Sequence, residues 1–266
     1  MTIRLLGLPQ DNNSSYLAGP AAAPAAIRRA LVSDSANSFN EFGLDVSNPK
    51  VMTDAGDVKL AGLSGQAAFD AVYTAVAAEI ESVKSVLSLG GDHSVSFPAI
   101  KAHVDHYTGL NIIHFDAHPD LYENMQDNPF SHASPFARLM ETGQIARLVQ
   151  VGVRTLNSHQ QSQATRFGVE IHHMRDLSGV SNLCFDGPVY MSVDLDVLDP
   201  AFAPGVSHYE PGGLDTRLLL TMIQNIDADI IGADLVELNP DRDPAGITEM
   251  VAAKILKEMI GRLYKG

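Results

Sequence analysis

Apolar positions along the chain follow two alternating patterns. Short apolar runs bounded by Gly, Pro, Asn or Asp are typical of strands, and they occur in the segments IRLLGLP, SVLSLGG, LNIIHF, ARLVQVGVR, VEIHHM, PVYMSVDLDV and DIIGADLVEL. Segments with apolar residues at helical spacing lie between them, namely GPAAAPAAIRRAL, GQAAFDAVYTAVAAEIESVK, SVSFPAIKAHV, ASPFARLMETG, SQATRFG, DTRLLLTMIQNI and GITEMVAAKILKEMIGRLYK. The pattern therefore predicts an alternation of strands and helices.

This alternation predicts an α/β fold, with a mainly parallel sheet covered by helices on both faces. The hydrophobic fraction of 45% and the mean hydropathy of +0.01 allow a sizeable core. The chain shows no internal repeat and few residues typical of a linker, so we expect residues 1–266 to form a single domain. Parallel sheets of this kind bind ligands at the carboxyl ends of their strands, which directs attention to the residues there.

Charge and cysteine content narrow the classes of partner. The net charge is −14 and the sequence pI is near 5.0, which argues against a nucleic-acid surface and disfavours an anionic membrane. An acidic protein suits a cationic substrate or metal ions, although many acidic proteins bind neither. The single cysteine, Cys184, excludes a disulfide within the chain and a cysteine metal cluster.

The sequence also bears on the compartment. The opening MTIRLLGLPQ lacks the long apolar core and the small-residue cleavage site of a signal peptide, and it is better interpreted as a first strand. No uninterrupted apolar stretch reaches the length of a membrane span. On these grounds the protein is expected to be cytoplasmic.

Acidic and imidazole side chains gather where three of the predicted strands end. The segments are VLSLGGDHS, IIHFDAHPD and YMSVDLDVLDP, and in each an apolar run is followed at once by residues of metal-ligand type. If the strands are parallel, all three ends lie at one edge of the sheet. The candidate ligands in these segments are His93, Asp116, His118, Asp120, Asp194 and Asp196.

These six side chains need a cation among them. Four are carboxylates, which together carry a charge of −4 when ionised, so two divalent cations would balance them. Carboxylate and imidazole ligands without thiolate suit Mn²⁺ or a similar ion better than a structural zinc. Taken singly, each motif is also explained by an ordinary turn or helix cap. The occurrence of all three at strand ends favours a two-metal site of the kind that activates water.

The segments GGDHS, FDAHPD and SVDLDVLDPAFAPG resemble the three metal-binding signatures of the ureohydrolase family, which includes arginases, agmatinases and formimidoylglutamases. The resemblance runs nearly end to end, and NSSYLAGPAAAPAAIRRAL, SHASPFARLMETG, GVSHYEPGGL and GADLVELNPDRD are also similar to family segments. Several of these look most similar to plant-type arginases. The resemblance implies a three-layer α/β/α fold, with a sheet between two helical layers, and a binuclear manganese site.

The resemblance also implies how two Mn²⁺ ions per chain would be held. One ion would be bound by His93, Asp116, Asp120 and Asp194. The other would be bound by Asp116, His118, Asp194 and Asp196, with Asp116 and Asp194 bridging the two ions. His114 shares a strand face with Asp116 but lies deeper, so it is expected to support a ligand or to pack in the core.

Three further roles follow from the resemblance. A guanidinium substrate is permanently protonated, so its carbon resists attack unless a metal ion activates water. Asp120 is implied to donate a proton to the departing amine. Glu237, in DLVELNP, would bind the guanidinium through two parallel hydrogen bonds, unless it is only a surface residue at a strand end. His132, in NPFSHASPF, would shuttle a proton, unless it is only a histidine at a helix start.

The metal ligands predict the reaction but not the tail of the substrate. Arginine needs partners for its α-carboxylate and α-amine, whereas agmatine lacks the carboxylate. The segment LYENMQDNPFS, between Asp120 and His132, is expected to form the pocket for this tail. Asn128 and Asn157 are candidates for binding these groups, and His208 lies in a loop expected at the pocket mouth. Hydrolysis of L-arginine to L-ornithine and urea is the first hypothesis. Agmatine, or another guanidino or formimino compound, is the alternative substrate.

Two other functional classes remain to be separated. A deacetylase-like amide hydrolase with one zinc would need fewer acidic ligands than this chain carries, and a non-catalytic relative would be expected to lack a ligand. The metal content, near two ions per chain or near one, distinguishes the first class, and urea release distinguishes the second.

By resemblance to the family, the chain is expected to assemble as a homo-oligomer, a trimer or a hexamer.

Overall fold

Eight strands form the centre of the protein. The computed structural model describes residues 2–83, 85–177 and 183–265, and the statements below refer to these residues. The strands, numbered β1 to β8, are Ile3–Leu8, Met52–Asp57, Val86–Gly90, Asn111–Phe115, Arg147–Val153, Glu170–His173, Cys184–Asp194 and Asp227–Val236. All eight lie in one sheet, in the order β2-β1-β3-β8-β7-β4-β5-β6.

Every pairing in this sheet is parallel. The carboxyl ends of the strands therefore lie at one edge, as the alternating pattern predicted. The four strands β3, β8, β7 and β4 are neighbours, and their register places Ile113 beside Met191 and Met191 beside Ala233. This order brings the three predicted ligand segments and the Glu237 segment to adjacent strand ends, although they are far apart along the chain.

Seven α-helices cover the sheet. They are numbered α1 to α7 and span Ala23–Leu31, Gly65–Val83, Ser96–His106, Pro135–Glu141, Ser158–Phe167, Thr216–Asn225 and Ile247–Leu263. Local chemistry explains several of their ends. Asn157 and Asp215 cap α5 and α6 by accepting a hydrogen bond from a backbone N–H in the first turn. Helix α5 ends at Gly168, which adopts the left-handed conformation common after a helix.

The helices form two layers, one on each face of the sheet. Helices α1, α6 and α7 pack against one face, in a cluster that includes Ile113 and Phe115 of β4. Helices α2, α3, α4 and α5 cover the other face, where Ile112 of the same strand is buried. Successive side chains of β4 thus enter opposite layers, as the strand period of two requires. The three-layer α/β/α architecture is confirmed.

Strand β2 was not predicted, and its composition explains why. The segment MTDAGD has no apolar run and no alternation of apolar and polar residues. It lies at the edge of the sheet, paired only with β1, and its residues are half-buried or exposed. Parallel pairing with β1 and the contacts of its Asp54 and Asp57 with Arg28, rather than apolar burial, place it there. In the described part of the chain, no helix has the length and apolar character needed to cross a membrane.

Candidate active site

The turn after β3 brings His93 to the edge of the sheet. Gly91 is required there because a Cβ at this position would lie 1.7 Å from the carbonyl oxygen of Gln10. Asp92 then caps a short 3-10 helix by accepting from the backbone N–H of Ser94 at 3.1 Å. This geometry turns the chain sharply and buries His93 completely beneath the neighbouring strand ends.

His93 lies among three carboxylates. Its Nδ1 is 3.1–3.2 Å from one oxygen each of Asp116, Asp120 and Asp194. These contacts have the distances of ion pairs but not the angles of hydrogen bonds, so Nδ1 is buried without a hydrogen-bond partner among the described residues. Burial by itself would lower the pKa of His93, but the three carboxylates raise that pKa well above its ordinary value. Three acidic groups thus lie around one ring nitrogen, which in the neutral ring can bind a metal ion through its lone pair.

A second group lies beside the first and shares Asp116 with it. His118 Nδ1 is 3.0 Å from Oδ2 of Asp196 and 3.4 Å from Oδ1 of Asp116. Backbone donors hold the carboxylates in place: His118 N donates to Asp116 Oδ1 at 2.6 Å, and Asp196 N donates to Asp194 Oδ1 at 2.7 Å. In both pairs, the backbone N–H two residues after the aspartate holds its carboxylate in place.

The buried carboxylates, if all were ionised, would carry more negative charge than the described side chains neutralise. Burial, followed by the charges of Asp196 and Asp116, raises the pKa of Asp194 well above its ordinary value. Burial also raises the pKa of Asp196 to about 6, although His118 opposes the shift. Carboxylate oxygens and imidazole nitrogens without thiolate are suitable donors for Mn²⁺ and similar ions. Together with the unpartnered His93 Nδ1, this surplus of charge fits a metal centre.

His114 supports Asp116. It could be grouped with His93 and Asp116 as a metal ligand by distance alone, since one ligand atom of each lies within 4.8 Å of the others. Both of its ring nitrogens are already used, however: Nε2 contacts Asp116 Oδ2 at 2.8 Å, and Nδ1 contacts Gln150 Nε2 at 3.0 Å. The ring therefore orients the carboxylate rather than binding an ion itself.

Glu237 and His132 form a buried pair next to these carboxylates. Oε1 of Glu237 accepts from His132 Nδ1 at 2.8 Å and from the backbone N–H of His93 at 2.8 Å. The backbone of Glu237 has φ +66, a conformation that non-glycine residues rarely adopt, and Asp120 has φ +47. Two of the four described non-glycine residues with positive φ thus belong to this site, where the surrounding structure holds the strain.

The pair changes the pKa of His132. Burial would lower it, but the Glu237 charge and hydrogen bond dominate and raise the pKa of His132 to about 9. The backbone N–H of Ser15 points at His132 Nε2 from 3.1 Å, which favours a neutral ring. Ser15 Oγ, 2.9 Å from the same nitrogen, can instead accept a hydrogen bond from the charged ring. The carboxylate at 2.8 Å is the stronger influence, so the ring is protonated at neutral pH.

This pair predicts a pH dependence of stability. The pKa of His132 is higher in the folded chain than the ordinary value of 6.5, so the pair stabilises the folded state fully below that value. Its contribution falls as the pH rises through about 9. Chemical denaturation of the wild type and of His132→Asn should give the largest difference in free energy of unfolding near pH 6. A difference that stays constant up to pH 10 would contradict the assigned pair.

A pocket of about 170 Å³ opens over this site. Six of the predicted residues line it: His118, Asp120, His132, Asp194, Asp196 and Glu237. His93 and Asp116 lie beneath it, fully buried. The remaining lining residues are Ser15, Tyr122, Met125, Ala133, Thr155, Gln160 and His208. His208, expected at the mouth, is half-buried, and its ring centroid is 5.2 Å from that of His132.

The structure does not place Asn128 or Asn157 in the pocket lining. Asn128 Nδ2 donates to Asn13 Oδ1 at 3.1 Å, within the loops beside the pocket. Asn157 caps α5 and donates to the hydroxyl of Tyr122, which does line the pocket. Their predicted contact with the substrate stays a prediction, and any effect of Asn157 would pass through Tyr122.

The segment LYENMQDNPFS, expected to form the pocket for the substrate tail, contributes Tyr122 and Met125 to the lining. Sequence reasoning missed Thr155, Gln160 and Ser15. A usable signal existed for Thr155 and Gln160, because they follow β5 and parallel sheets bind ligands at the carboxyl ends of their strands. No such signal pointed to Ser15, which lies in an irregular segment whose path over the strand ends depends on contacts with distant residues.

Comparison with known proteins identifies similar chains. The mitochondrial arginase 1 of Arabidopsis thaliana is 45% identical over 278 residues, covering 98% of this chain and 81% of that protein. An agmatinase of Bacillus cereus is 34% identical over 263 residues, covering 96% and 90%. The structure resembles that of an arginase from Medicago truncatula, with a TM-score of 0.95 and 43% identity, covering 99% of this chain and 88% of the other.

These relatives contradict the expected cytoplasmic location. The arginase 1 of Arabidopsis thaliana and an arginase of Medicago truncatula are named mitochondrial, and a second Arabidopsis thaliana arginase is named chloroplastic/mitochondrial. The expectation was wrong because it rested on the missing features of a signal peptide and on the lack of a long apolar stretch. Neither feature distinguishes a protein of the cytoplasm from one inside an organelle.

The family follows from the extent of these matches. A family model described as the arginase family matches residues 1–261, and the plant arginases align at 43–45% identity over nearly the whole chain. The identity with the agmatinase is lower, at 34%. The family resemblance predicted from the metal-binding segments is thus confirmed, and the chain is a metal-dependent hydrolase of amidino groups that belongs to the arginase family.

Proposed function

We propose that this chain hydrolyses L-arginine to L-ornithine and urea with two Mn²⁺ ions, and that residues 1–266 act as one domain. The observation that carries the metal proposal is the buried His93 Nδ1, unpartnered and surrounded by three carboxylates. The similarity to plant arginases at 43–45% identity supports arginine as the substrate. Both lines of support agree with the acidic charge of the chain, which suits a cationic substrate.

The proposed ligands divide into two sets that would share Asp116 and Asp194. The first set is His93, Asp116, Asp120 and Asp194. The second set is Asp116, His118, Asp194 and Asp196. Two such ions, when bound, supply an activated water at neutral pH and polarise the group under attack. The residues of this chain supply the rest: recognition of the cation, orientation, and transfer of protons.

Recognition of the guanidinium is assigned to Glu237. This carboxylate is buried beside the pocket, and the positive charge of His132 lowers its pKa against the effect of burial, so it is ionised. A planar guanidinium matches a carboxylate through two parallel hydrogen bonds. Acidic residues line the inner part of the pocket, and no Lys or Arg stands among the described lining residues to repel a cation. The pocket therefore favours a positively charged group at its base.

Two groups are assigned to proton transfer. Asp120 lies at the pocket wall, with one oxygen 3.1 Å from His93 Nδ1, so it is positioned to hold a proton from the attacking water and pass it to the amine that leaves. His132 lies across the same pocket and is protonated at neutral pH through its contact with Glu237. It can deliver a proton to the departing amine group or return one from solvent.

Agmatine is the second candidate substrate, on one specific observation. The α-carboxylate of arginine would find no Lys or Arg among the described lining residues, so it would depend on donors such as Ser15, Tyr122 and Thr155. A substrate without that carboxylate would not need them. The more distant relationship to agmatinases keeps arginine first.

The function is tested by urea release from Mn²⁺-loaded protein with arginine, agmatine and shorter guanidino acids. We expect kcat/KM to be highest for arginine. A higher kcat/KM for agmatine would replace the substrate while keeping the reaction. No urea from any of the compounds, with metal bound, would refute the proposed reaction, and formimino and amide substrates would then be tested.

Metal titration tests the binuclear centre. Chelator-treated protein should bind Mn²⁺ to two ions per chain by calorimetry, and the melting temperature should rise on loading. At a free Mn²⁺ concentration 100 times the dissociation constant, one site contributes about 2.7 kcal/mol to stability. Saturation at one ion per chain, or a preference for one zinc, would contradict the two-metal proposal.

We also propose a homo-oligomer, a trimer or a hexamer, on the basis of the family resemblance. Light scattering of the purified chain, coupled to size exclusion, gives the mass directly. A mass equal to that of one 28.5 kDa chain across a range of concentrations would contradict the proposal.

A further inference from the structure

A carboxylate lies buried in the middle of the sheet without a cationic partner. Asp234, on β8, is fully buried, and it forms no ion pair with Lys or Arg among the described residues. It occupies the strand next to β7, in register with Ser192. A buried charge is costly unless other groups satisfy it. This residue lies outside the three ligand segments, and none of the roles assigned above explains it.

Two hydroxyl groups satisfy Asp234. Ser192 Oγ donates to Oδ1 at 2.6 Å, and the Tyr190 hydroxyl donates to Oδ2 at 3.0 Å. Both donors are themselves fully buried on β7. The short bond to Ser192 has the length typical of a hydroxyl that donates to an ionised carboxylate. The single hydroxyl hydrogen of Ser192 is therefore directed at Asp234.

This direction determines what Ser192 can offer to its other neighbour. Ser192 Oγ also contacts His93 Nε2 at 3.0 Å. Because the serine hydrogen is engaged with Asp234, the oxygen can only accept, so His93 Nε2 must carry the hydrogen. In the neutral ring the lone pair then lies on Nδ1, the nitrogen that faces Asp116, Asp120 and Asp194.

We propose that Asp234, acting through Ser192, is a positioning residue that sets the tautomer and orientation of His93 for metal binding. The inference rests on the proposed metal centre and deepens it. A histidine ligand binds a metal best when its other ring N–H has a fixed acceptor, and a carboxylate behind that acceptor increases the basicity of the ring. Asp234 acts from its position on β8, beside Ser192, and it does not line the pocket.

The carboxylate, rather than a neutral amide, is essential to this arrangement. An asparagine at position 234 can turn its NH₂ group toward Ser192. The serine oxygen would then accept that hydrogen and donate its own to His93 Nε2. The neutral ring would have to carry its hydrogen on Nδ1, where a metal ion must bind. The ionised carboxylate can only accept, so it fixes the direction of these hydrogen bonds, whereas asparagine permits the reversed direction.

The test compares Asp234→Asn and Ser192→Ala with Tyr190→Phe as a matched control. Tyr190→Phe removes a hydrogen bond to the same carboxylate but leaves the link through Ser192 intact. Mn²⁺ affinity is measured by competition with a chelator, and the visible absorption of the Co²⁺-loaded protein reports the ligands of each ion. Melting temperatures of the metal-free variants measure the structural damage separately.

For Asp234→Asn and Ser192→Ala we expect about 10–100-fold weaker binding of one of the two ions, with an altered Co²⁺ spectrum. Tyr190→Phe should change either affinity by less than about threefold, even if it lowers the melting temperature. Equal affinities in Asp234→Asn and wild type, or equal losses in all three variants that track the melting temperature, would overturn the inference. If the wild type itself bound no metal, the proposed function would fail instead.

Discussion

Asp196→Asn is expected to lower kcat for urea release by roughly 1,000-fold while the protein remains folded. The variant keeps the shape of the side chain but removes one charged ligand of the second proposed ion. Metal activation contributes several kcal/mol to such reactions, and about 4 kcal/mol corresponds to roughly three orders of magnitude. Steady-state urea release at saturating arginine and Mn²⁺ measures the loss.

The same variant should not destabilise the metal-free protein. Burial and the charge of Asp116 raise the pKa of Asp196 despite the opposing effect of His118, so its ionised form is held at a cost that asparagine avoids. We therefore expect an unchanged or higher melting temperature without metal and a smaller increase on Mn²⁺ loading. Asp186→Asn, at the exposed opposite end of β7, is the matched control. Wild-type turnover in Asp196→Asn would refute the two-metal proposal.

Glu237→Gln is expected to reduce kcat/KM for arginine by a comparable factor, roughly 1,000-fold. Removal of one partner from a buried ion pair costs about 3–5 kcal/mol, because the other charge is left uncompensated. Here the uncompensated charges are the substrate guanidinium and the His132 ring, which lies 2.8 Å from the carboxylate. Steady-state kinetics with arginine at several pH values measures the effect.

A second measurement separates a role in the site from simple misfolding. Glu237 is the largest cause that raises the pKa of His132 to about 9, so in Glu237→Gln that pKa should fall. NMR titration of the His132 ring reports the change directly. Glu81→Gln, which alters an exposed residue of α2, should leave both the kinetics and the titration as in wild type. A His132 pKa that stays near 9 in Glu237→Gln would show that the pair is wrongly assigned.

The candidate ligands were predictable because their local pattern is strong. His93, Asp116 and Asp194 each follow a buried apolar run, and parallel strands place such ends at one edge of the sheet. The sheet order supplies the rest, since β3, β8, β7 and β4 are neighbours. The sequence pattern alone could not give that order, because it contains no information on which strands pair.

Residues outside these motifs were harder to predict. Asp234 stands in an apolar strand, three residues before Glu237, and its contact with Ser192 depends on the register between β7 and β8. Ser15 reaches the pocket from an irregular segment, whose path is held by a contact with the distant residue His132. Asn128 and Asn157 have suitable chemistry for substrate binding, and their contact with the substrate stays a prediction. In the structure the Asn128 amide donates to Asn13, and the Asn157 amide caps α5.

The sequence by itself determined the alternation of strands and helices, the candidate metal-ligand segments and the family. These features depend on local periodicity and on residue types at fixed spacing, and both can be recognised without knowing how distant segments pack. Only the tertiary structure decided the polar edge strand β2, the pairing of His132 with Glu237 and the hydrogen bonds from Asp234 to His93. Those features join residues that are distant along the chain, and their geometry exists only once the strands have paired and the loops have packed over their ends.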